Sequence, residues 1–333
     1  MQELNFSIVP QSAGLEALIV KAKKLAAASR ADSTRQAMNS SWKDVESWTL
    51  QHGFPSLVHA PSPEVVALYL ADRATSLSPQ TLTKRLWSIT QALRRSGYEG
   101  PSPASTKHPL VGAVLRGIRR SKTVAPGANR KEPLLTDQIR LLVRVCGHDL
   151  QGLRNRALIL TGFAGGGIRR EELSVIDVSQ LEFCEDGVIY HPGRSKTDQE
   201  GSGGRQVAIP FGADPETCAV RALARWLSTS QIKEGPVFRP VQRRGGRQVV
   251  GAEALSAGGV NYIVKCLARR AGLDDKRYGA HSLRSGFCTQ AAVLGKVGAR
   301  AVMQHSGHKD AKSFDRYVRP EFGDDNVANH LGL

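Results

Sequence analysis

Apolar residues recur at helical spacing through the first third of the chain. In SPQTLTKRLWSITQALRRSG, Leu82, Leu86, Ile89 and Leu93 share one stripe, which predicts a helix opened by a Ser-Pro pair. SPEVVALYLADRATS repeats the device. SRADSTRQAMNSSWKDVESWTLQHG offers Asp32 and Ser33 as caps and Gly53 as a stop. HPLVGAVLRGIRRSK predicts a further helix with a basic end, so the simplest sum is a compact domain of four or five helices. SKTVAPGANRKEP, rich in small, basic and turn residues, is the linker candidate. Beyond it, TDQIRLLVRVC and NRALILTGFA look helical, whereas GVIYHP and RQVAIP read as strands around the turn-rich KTDQEGSGG. CAVRALARWLS and VNYIVKCLARRAG return to helix. The resulting division is a leader of unassigned role (1–32), a helical domain (33–121), a linker (122–133), a mainly α domain with a small antiparallel sheet (134–319) and a tail (320–333).

Composition narrows the class. A chain of 333 residues is long for one core and fits two domains. No run of 18 apolar residues occurs, which argues against a membrane span. The N-terminus carries acidic residues and lacks the order of a secretory signal. Five widely spaced cysteines without CxxC suit reduced thiols in the cytoplasm rather than a disulfide frame or zinc site.

Charge adds a partner. Forty-six Lys and Arg against 30 Asp and Glu give +16. Residues 81–131 hold Lys84, Arg85, Arg94, Arg95, Lys107, Arg116, Arg119, Arg120, Lys122, Arg130 and Lys131 against Glu99 alone. A solvated helix face on a basic protein is the plain explanation. A polyanion is the better one, because neutralised phosphates release counterions, and nucleic acid is the expected partner.

Chemistry-bearing residues cluster in the second half. GGGIRREEL sets Arg169 after three glycines with Glu172 on the same helix face; glycines there permit a sharp turn and the approach of a bulky ligand. Lys196 falls near a hairpin turn. In GAHSLRSGF, His281 and Arg284 stand at i and i+3, with Gly279, Ser282 and Gly286 keeping the surroundings uncrowded. SGHKDAKSFDRY then places Tyr317 nine residues after His308. Each fragment alone has an ordinary structural reading: a surface pair, a turn lysine, a packed ring. Their order does not.

IRREEL (168–173), GRSKTDQEG (193–201), HSLRSGF (281–287) and SGHKDAKSFDRY (306–317) together resemble the tyrosine recombinases, or phage integrases, in their Cre-like and transposon-type branch. The likeness runs from about residue 33 to the end. It implies a two-domain, C-shaped clamp with a helical, SAM-like core-binding domain ahead of the catalytic domain. It also implies Tyr317 as nucleophile, Arg169 and Arg284 on the scissile phosphate, Lys196 as the hairpin lysine, His281 and His308 as the two histidine positions, and Glu172 in support. Arg170 adjoins Arg169; the Arg-x-x-Glu-Leu spacing selects Arg169. DNA contacts are expected from Lys84, Arg85, Arg94, Arg95, Arg116, Arg119, Arg120 and Lys122.

Those residue types suit phosphodiester exchange. Two guanidinium forks match an oxyanion gaining charge. Tyrosine, with a pKa near 10, needs an acceptor such as His281, and Lys196 can protonate the leaving 5′-hydroxyl. No metal or other cofactor is expected. The expected assembly is a homotetramer, monomeric when free, on double-stranded DNA bearing inverted repeats, in the cytoplasm of a bacterium or on a phage or mobile element. The tail reads either as packing on its own domain or as docking on a neighbouring subunit. Rival readings are a type IB topoisomerase, a telomere resolvase, and a DNA-binding protein that has lost catalysis.

Overall fold

A computed structural model describes residues 13–28, 32–122, 131–193, 204–294, 297–315 and 317. Lys196, most of the linker and the tail 320–333 lie outside the described residues. The chain divides into two compact units, Met1–Ala128 and Asn129–Leu333.

The first unit holds α1 (Ala13–Ala28), α2 (Asp32–Gln51), α3 (Pro63–Arg73), α4 (Pro79–Arg95) and α5 (Pro109–Ser121). The Ser-Pro pairs open helices as their chemistry dictates. The Ser62 and Ser78 side chains accept from the N–H groups of Val65 (3.1 Å) and Thr81 (3.2 Å), and Pro63 and Pro79 occupy first-turn positions that need no donor. Asp32 already lies within α2 rather than ahead of it. Gly53 stops that helix with φ at +74°, a conformation glycine adopts without strain.

Leu82, Leu86, Ile89 and Leu93 of α4 are buried, together with Trp48, Tyr69, Val111 and Leu115. The polar ends of the aromatic residues find partners. Trp48 Nε1 donates to Asp72 (2.9 Å) and Tyr69 Oη to Asp44 (2.7 Å), and Arg73 pairs with Asp44 at 3.2 Å.

The eight basic residues expected to contact DNA split into two groups. Lys84, Arg94, Arg95, Arg116, Arg119 and Arg120 are exposed. Arg119 also donates to Thr83 (3.2 Å), which joins the basic end of α5 to α4. Arg85 instead donates to the Ser40 carbonyl (3.2 Å) and lies 3.8 Å from Asp44, while Lys122 donates to the Leu77 carbonyl (2.8 Å). Both side chains are engaged in holding the helical unit together.

The second unit is built around α7 (Leu150–Ala164), whose Leu153, Ala157, Leu158, Ile159 and Leu160 are buried. It packs on α6 (Thr136–Arg144), α9 (Ala219–Ser230) and α11 (His281–Val293). The short α8 (Arg170–Ser174) follows it, and α10 (Ala257–Arg270), α12 (Ala299–Ser306) and α13 (Ala311–Phe314) complete the helices described. One antiparallel sheet runs β1 (Leu181–Cys184), β2 (Gly187–Tyr190), β3 (Val207–Pro210) in that order. The expected strands GVIYHP and RQVAIP are β2 and β3, paired with Tyr190 opposite Val207. Lys196 therefore belongs to their connection. A second hairpin, β4 (Val241–Arg244) and β5 (Arg247–Val250), was not evident from VQRRGGRQVV, where arginine and glycine mask any alternation.

The setting of α11 also differs from expectation. Ser282 is fully buried, and Leu134 N–H donates to its carbonyl at 3.0 Å. A Cβ on Gly286 would stand 1.9 Å from the Leu134 carbonyl oxygen. These residues make room for another backbone; the neighbourhood is crowded.

Two outcomes follow. Gly286→Ala destabilises the protein by about 1–3 kcal/mol through overpacking, measured by urea denaturation; a loss under about 0.5 kcal/mol contradicts the close approach. Replacing exposed Lys84, Arg94 and Arg95 by Glu weakens DNA binding and lowers its salt slope by about one for each phosphate no longer neutralised. Unchanged affinity across a salt titration removes this face from the DNA-binding account.

Candidate active site

Three glycines after α7 shape one wall of the site. Gly166 and Gly167 have φ of +84° and +66°. A Cβ on Gly166 would lie 2.5 Å from the His305 carbonyl oxygen, and one on Gly167 2.3 Å from Arg284 Cα. Gly166 and Gly167 thus give the sharp turn expected from sequence and make room for α12 and α11.

That turn delivers Arg169, the N-cap of α8, with extended backbone (φ −64°, ψ 144°). Arg169 and Glu172 consequently pair across the helix start, not along a helix face: Arg169 Nη1 donates to Glu172 Oε1 at 2.7 Å. Glu172 is 11% exposed, so the pair is well shielded from solvent. Arg170 turns to Glu171 (2.7 Å) and is 48% exposed. Geometry thus separates the two arginines, with Arg169 facing the site.

Arg284 lies one turn into α11 and is 3% exposed. Its Nη1 donates to the Gly167 carbonyl (3.0 Å) and its Nη2 to Nε2 of His308 (3.1 Å). Burial, and then the neighbouring charge of Arg169, push its pKa down.

His308 follows Gly307, which caps α12 in the left-handed conformation (φ +69°). Ser306 Oγ donates to the Val302 carbonyl (2.7 Å), so its oxygen accepts from Nδ1–H of His308 (2.7 Å). The network leaves Nε2 of a neutral ring as the acceptor for Arg284. Withdrawal from water, then the charges of Arg284 and Arg169, hold the His308 pKa down to about 4.

His281 opens α11 and lies at the surface of the site. Partial desolvation lowers its pKa, with Arg284 and Arg169 adding to the effect. Its Nε2 is 3.4 Å from the Tyr317 hydroxyl, beyond a well-formed hydrogen bond but within reach of a small adjustment. The Tyr317 ring centroid is 5.8 Å from that of His281 and 5.3 Å from that of His308.

Tyr317 is held from behind. Thr289 Oγ1 donates to its carbonyl (2.9 Å), and its N–H donates to Phe314 (2.8 Å). The ring packs on a small cluster of Cys288, Val302 and Phe314. Arg169, Glu172, His281, Arg284, His308 and Tyr317 are therefore brought together, whereas Lys196 lies outside the described residues. Thr289, Ser306 and Arg205 join them without having been expected. Arg205, just before β3, is half-buried and donates to the His305 carbonyl. Among the described residues, no group of three or more His, Cys, Asp or Glu side chains is placed to hold a metal ion, and no helix is long and apolar enough to cross a membrane.

The depressed His308 pKa has a definite sign. Between about 6.5, where an unfolded histidine titrates, and about 4, the unfolded chain binds a proton that the folded one refuses. Stability falls as pH drops through this window, and His308→Asn removes that part of the dependence. NMR titration of the DNA-free protein checks the cause directly; a His308 midpoint of about 6 or higher contradicts it.

Comparison with known proteins places the chain in a family. The model of the phage integrase family matches residues 132–323. The integrase/recombinase xerD homolog of Selenomonas ruminantium is 38% identical over 320 residues, covering 95% of this chain and 90% of its own. Among solved structures, a lambda integrase dimer bound to a COC′ core site aligns at a TM-score of 0.56 with 15% identity, covering 93% of this chain and 80% of its own. The XerH site-specific recombinase, in a post-cleavage complex with a palindromic difH substrate, aligns at 0.55 with 16% identity, covering 77% and 68%. These structural likenesses speak for the fold, and the family model and the close relative settle membership: the chain belongs to the phage integrase family, the tyrosine-type site-specific recombinases.

Proposed function

We propose that this recombinase cuts and rejoins DNA through a 3′-phosphotyrosyl link at Tyr317, without ATP, metal or other cofactor. The observation that carries the reading is the Tyr317 hydroxyl 3.4 Å from His281, beside a pocket where Arg169 and Arg284 press their charges on both histidines.

The phosphodiester takes its place between the two guanidinium groups, which pair with its non-bridging oxygens as they gain charge. His281, neutral because its pKa is lowered, accepts the phenolic proton. Tyr317 Oη attacks phosphorus, the bond to the 5′-oxygen breaks, and the leaving oxygen takes a proton from Lys196. A bound phosphate anion favours the charged form of His308, so its Nε2 changes from acceptor to donor toward a phosphate oxygen. Attack by a second 5′-hydroxyl reverses the steps; the covalent link conserves the bond, so no ATP is consumed.

The partner is double-stranded DNA with inverted repeats. Four copies act on two duplexes, with residues 320–333 of each docking on a neighbour, in the bacterial cytoplasm. The first unit supplies exposed cations that include Lys84, Arg94, Arg95, Arg116, Arg119 and Arg120 on an α2–α5 core, which supports its reading as the core-binding domain. A neighbour captured with DNA in a post-cleavage complex supports strand cleavage on the same fold.

A nicked suicide duplex carrying the cognate site tests the nucleophile. The parent protein forms a covalent protein–DNA band. Tyr317→Phe binds the duplex with affinity within about twofold and forms none, since the ring packing is retained while the attacking oxygen is absent. A persistent band in this variant removes Tyr317 from the mechanism. Absence of a band from the parent on its own site favours a DNA-binding protein instead.

A further inference from the structure

We propose that Arg205 is a positioning residue for His308: its guanidinium fastens the start of β3 to the C-terminal cap of α12 and fixes the turn that carries the ring. The inference rests on the reading of His308 given above and adds a residue to it.

The surroundings of Arg205 fix its place. Its Nη2 donates to the carbonyl of His305 in the last turn of α12. Its Nη1 fills the space beside Gly307, where a Cβ would come within 2.5 Å of it. Its Nε is buried without a hydrogen-bond partner. The guanidinium thus spans the residues on either side of Ser306, whose hydroxyl receives the His308 Nδ1–H. His308 is the next residue after the Gly307 cap, so any shift of that cap moves the ring directly.

A surface arginine would not need this setting. An unpartnered buried donor is costly, and burial pushes the Arg205 pKa down, with Arg284 and Arg169 acting in the same direction and Glu172 opposing them. A cation kept in place against two like charges is a local penalty of the kind found where function demands it. Arginine is suited to the task because one branch can hold the carbonyl while the other packs on Gly307; a lysine supplies the charge but not the fork.

His308 is faced by groups from several elements. Arg284 comes from α11, Arg169 from the turn before α8, Asp310 from the cap of α13, and Arg205 from the approach to β3. The Tyr317 and Phe314 rings complete its surroundings. Removing Arg205 takes away one of three cations and releases the cap.

The test combines kinetics with a titration. The duplex is one selected by the protein from a random-sequence library, then nicked beside the cleavage position. Arg205→Ala slows covalent-complex formation by up to about 10²-fold, as a displaced catalytic group does, while DNA affinity stays within about threefold. In a His308→Ala background the same substitution costs nothing further. In the DNA-free protein, NMR shows the His308 midpoint rising in Arg205→Ala and staying low in Arg205→Lys, which retains the charge but recovers only part of the rate. Fully additive rate effects in the double variant overturn the proposal, as does Arg205→Ala cleaving within about twofold of the parent with the His308 midpoint unmoved. If His308→Ala alone cleaves like the parent, the role given to His308 fails, while the midpoint shift still reports the clamp separately. Should Arg205→Ala not fold, Arg205→Lys carries the same cycle: its rate deficit must vanish in the His308→Ala background, and additivity overturns the proposal.

Discussion

Arg284 is buried in α11 and donates with one branch to Gly167 and with the other to His308. That single guanidinium draws together the turn after α7, the N-terminal end of α11 and the cap of α12. A buried charge without a carboxylate of its own is costly in a folded protein. Here the cost is met partly by the Gly167 carbonyl and the neutral ring of His308. Among the described residues the carboxylate beside the two arginines, Glu172, is bonded to Arg169, while Glu171 and Asp310 act on His281 and His308. In the proposed reaction a phosphodiester brings the anion with which the arginines pair.

The same electrostatics set the protonation states. Desolvation and the arginine charges lower the pKa of both His281 and His308, so both rings are neutral near pH 7. In the proposed reaction neutral His281 accepts a proton from Tyr317, and His308 gains one when a phosphate offsets the cations. In that proposal one field prepares a base and, once substrate binds, a donor. Thr289 and Phe314 hold the Tyr317 backbone within its own chain, placing the hydroxyl beside its own His281.

Much of this was legible from the chain alone. The Ser-Pro helix starts, the apolar stripe of α4 and the strand pair around the Lys196 connection all depend on local chemistry, and the structure carries each of them. The residues singled out by motif, Arg169, Glu172, His281, Arg284, His308 and Tyr317, also come together in the structure. Other features depend on tertiary packing and leave no local mark. Gly167 and Gly286 are each required by a backbone packed on top of them, which no local pattern reveals. Arg205 reaches His305 from 100 residues away, and Thr289 reaches Tyr317 from 28, separations no periodicity reveals. Charge alone also does not show that Arg85 and Lys122 are engaged with Ser40, Asp44 and Leu77 within their own unit.

The central claim is that Tyr317 becomes covalently joined to DNA inside this arginine-lined pocket. Mass spectrometry of the protease- and nuclease-digested covalent complex tests it most directly. The account predicts a nucleotide remnant, attached through its 3′-phosphate, on the peptide containing Tyr317. A remnant on any other residue, or one attached through a 5′-phosphate, contradicts it.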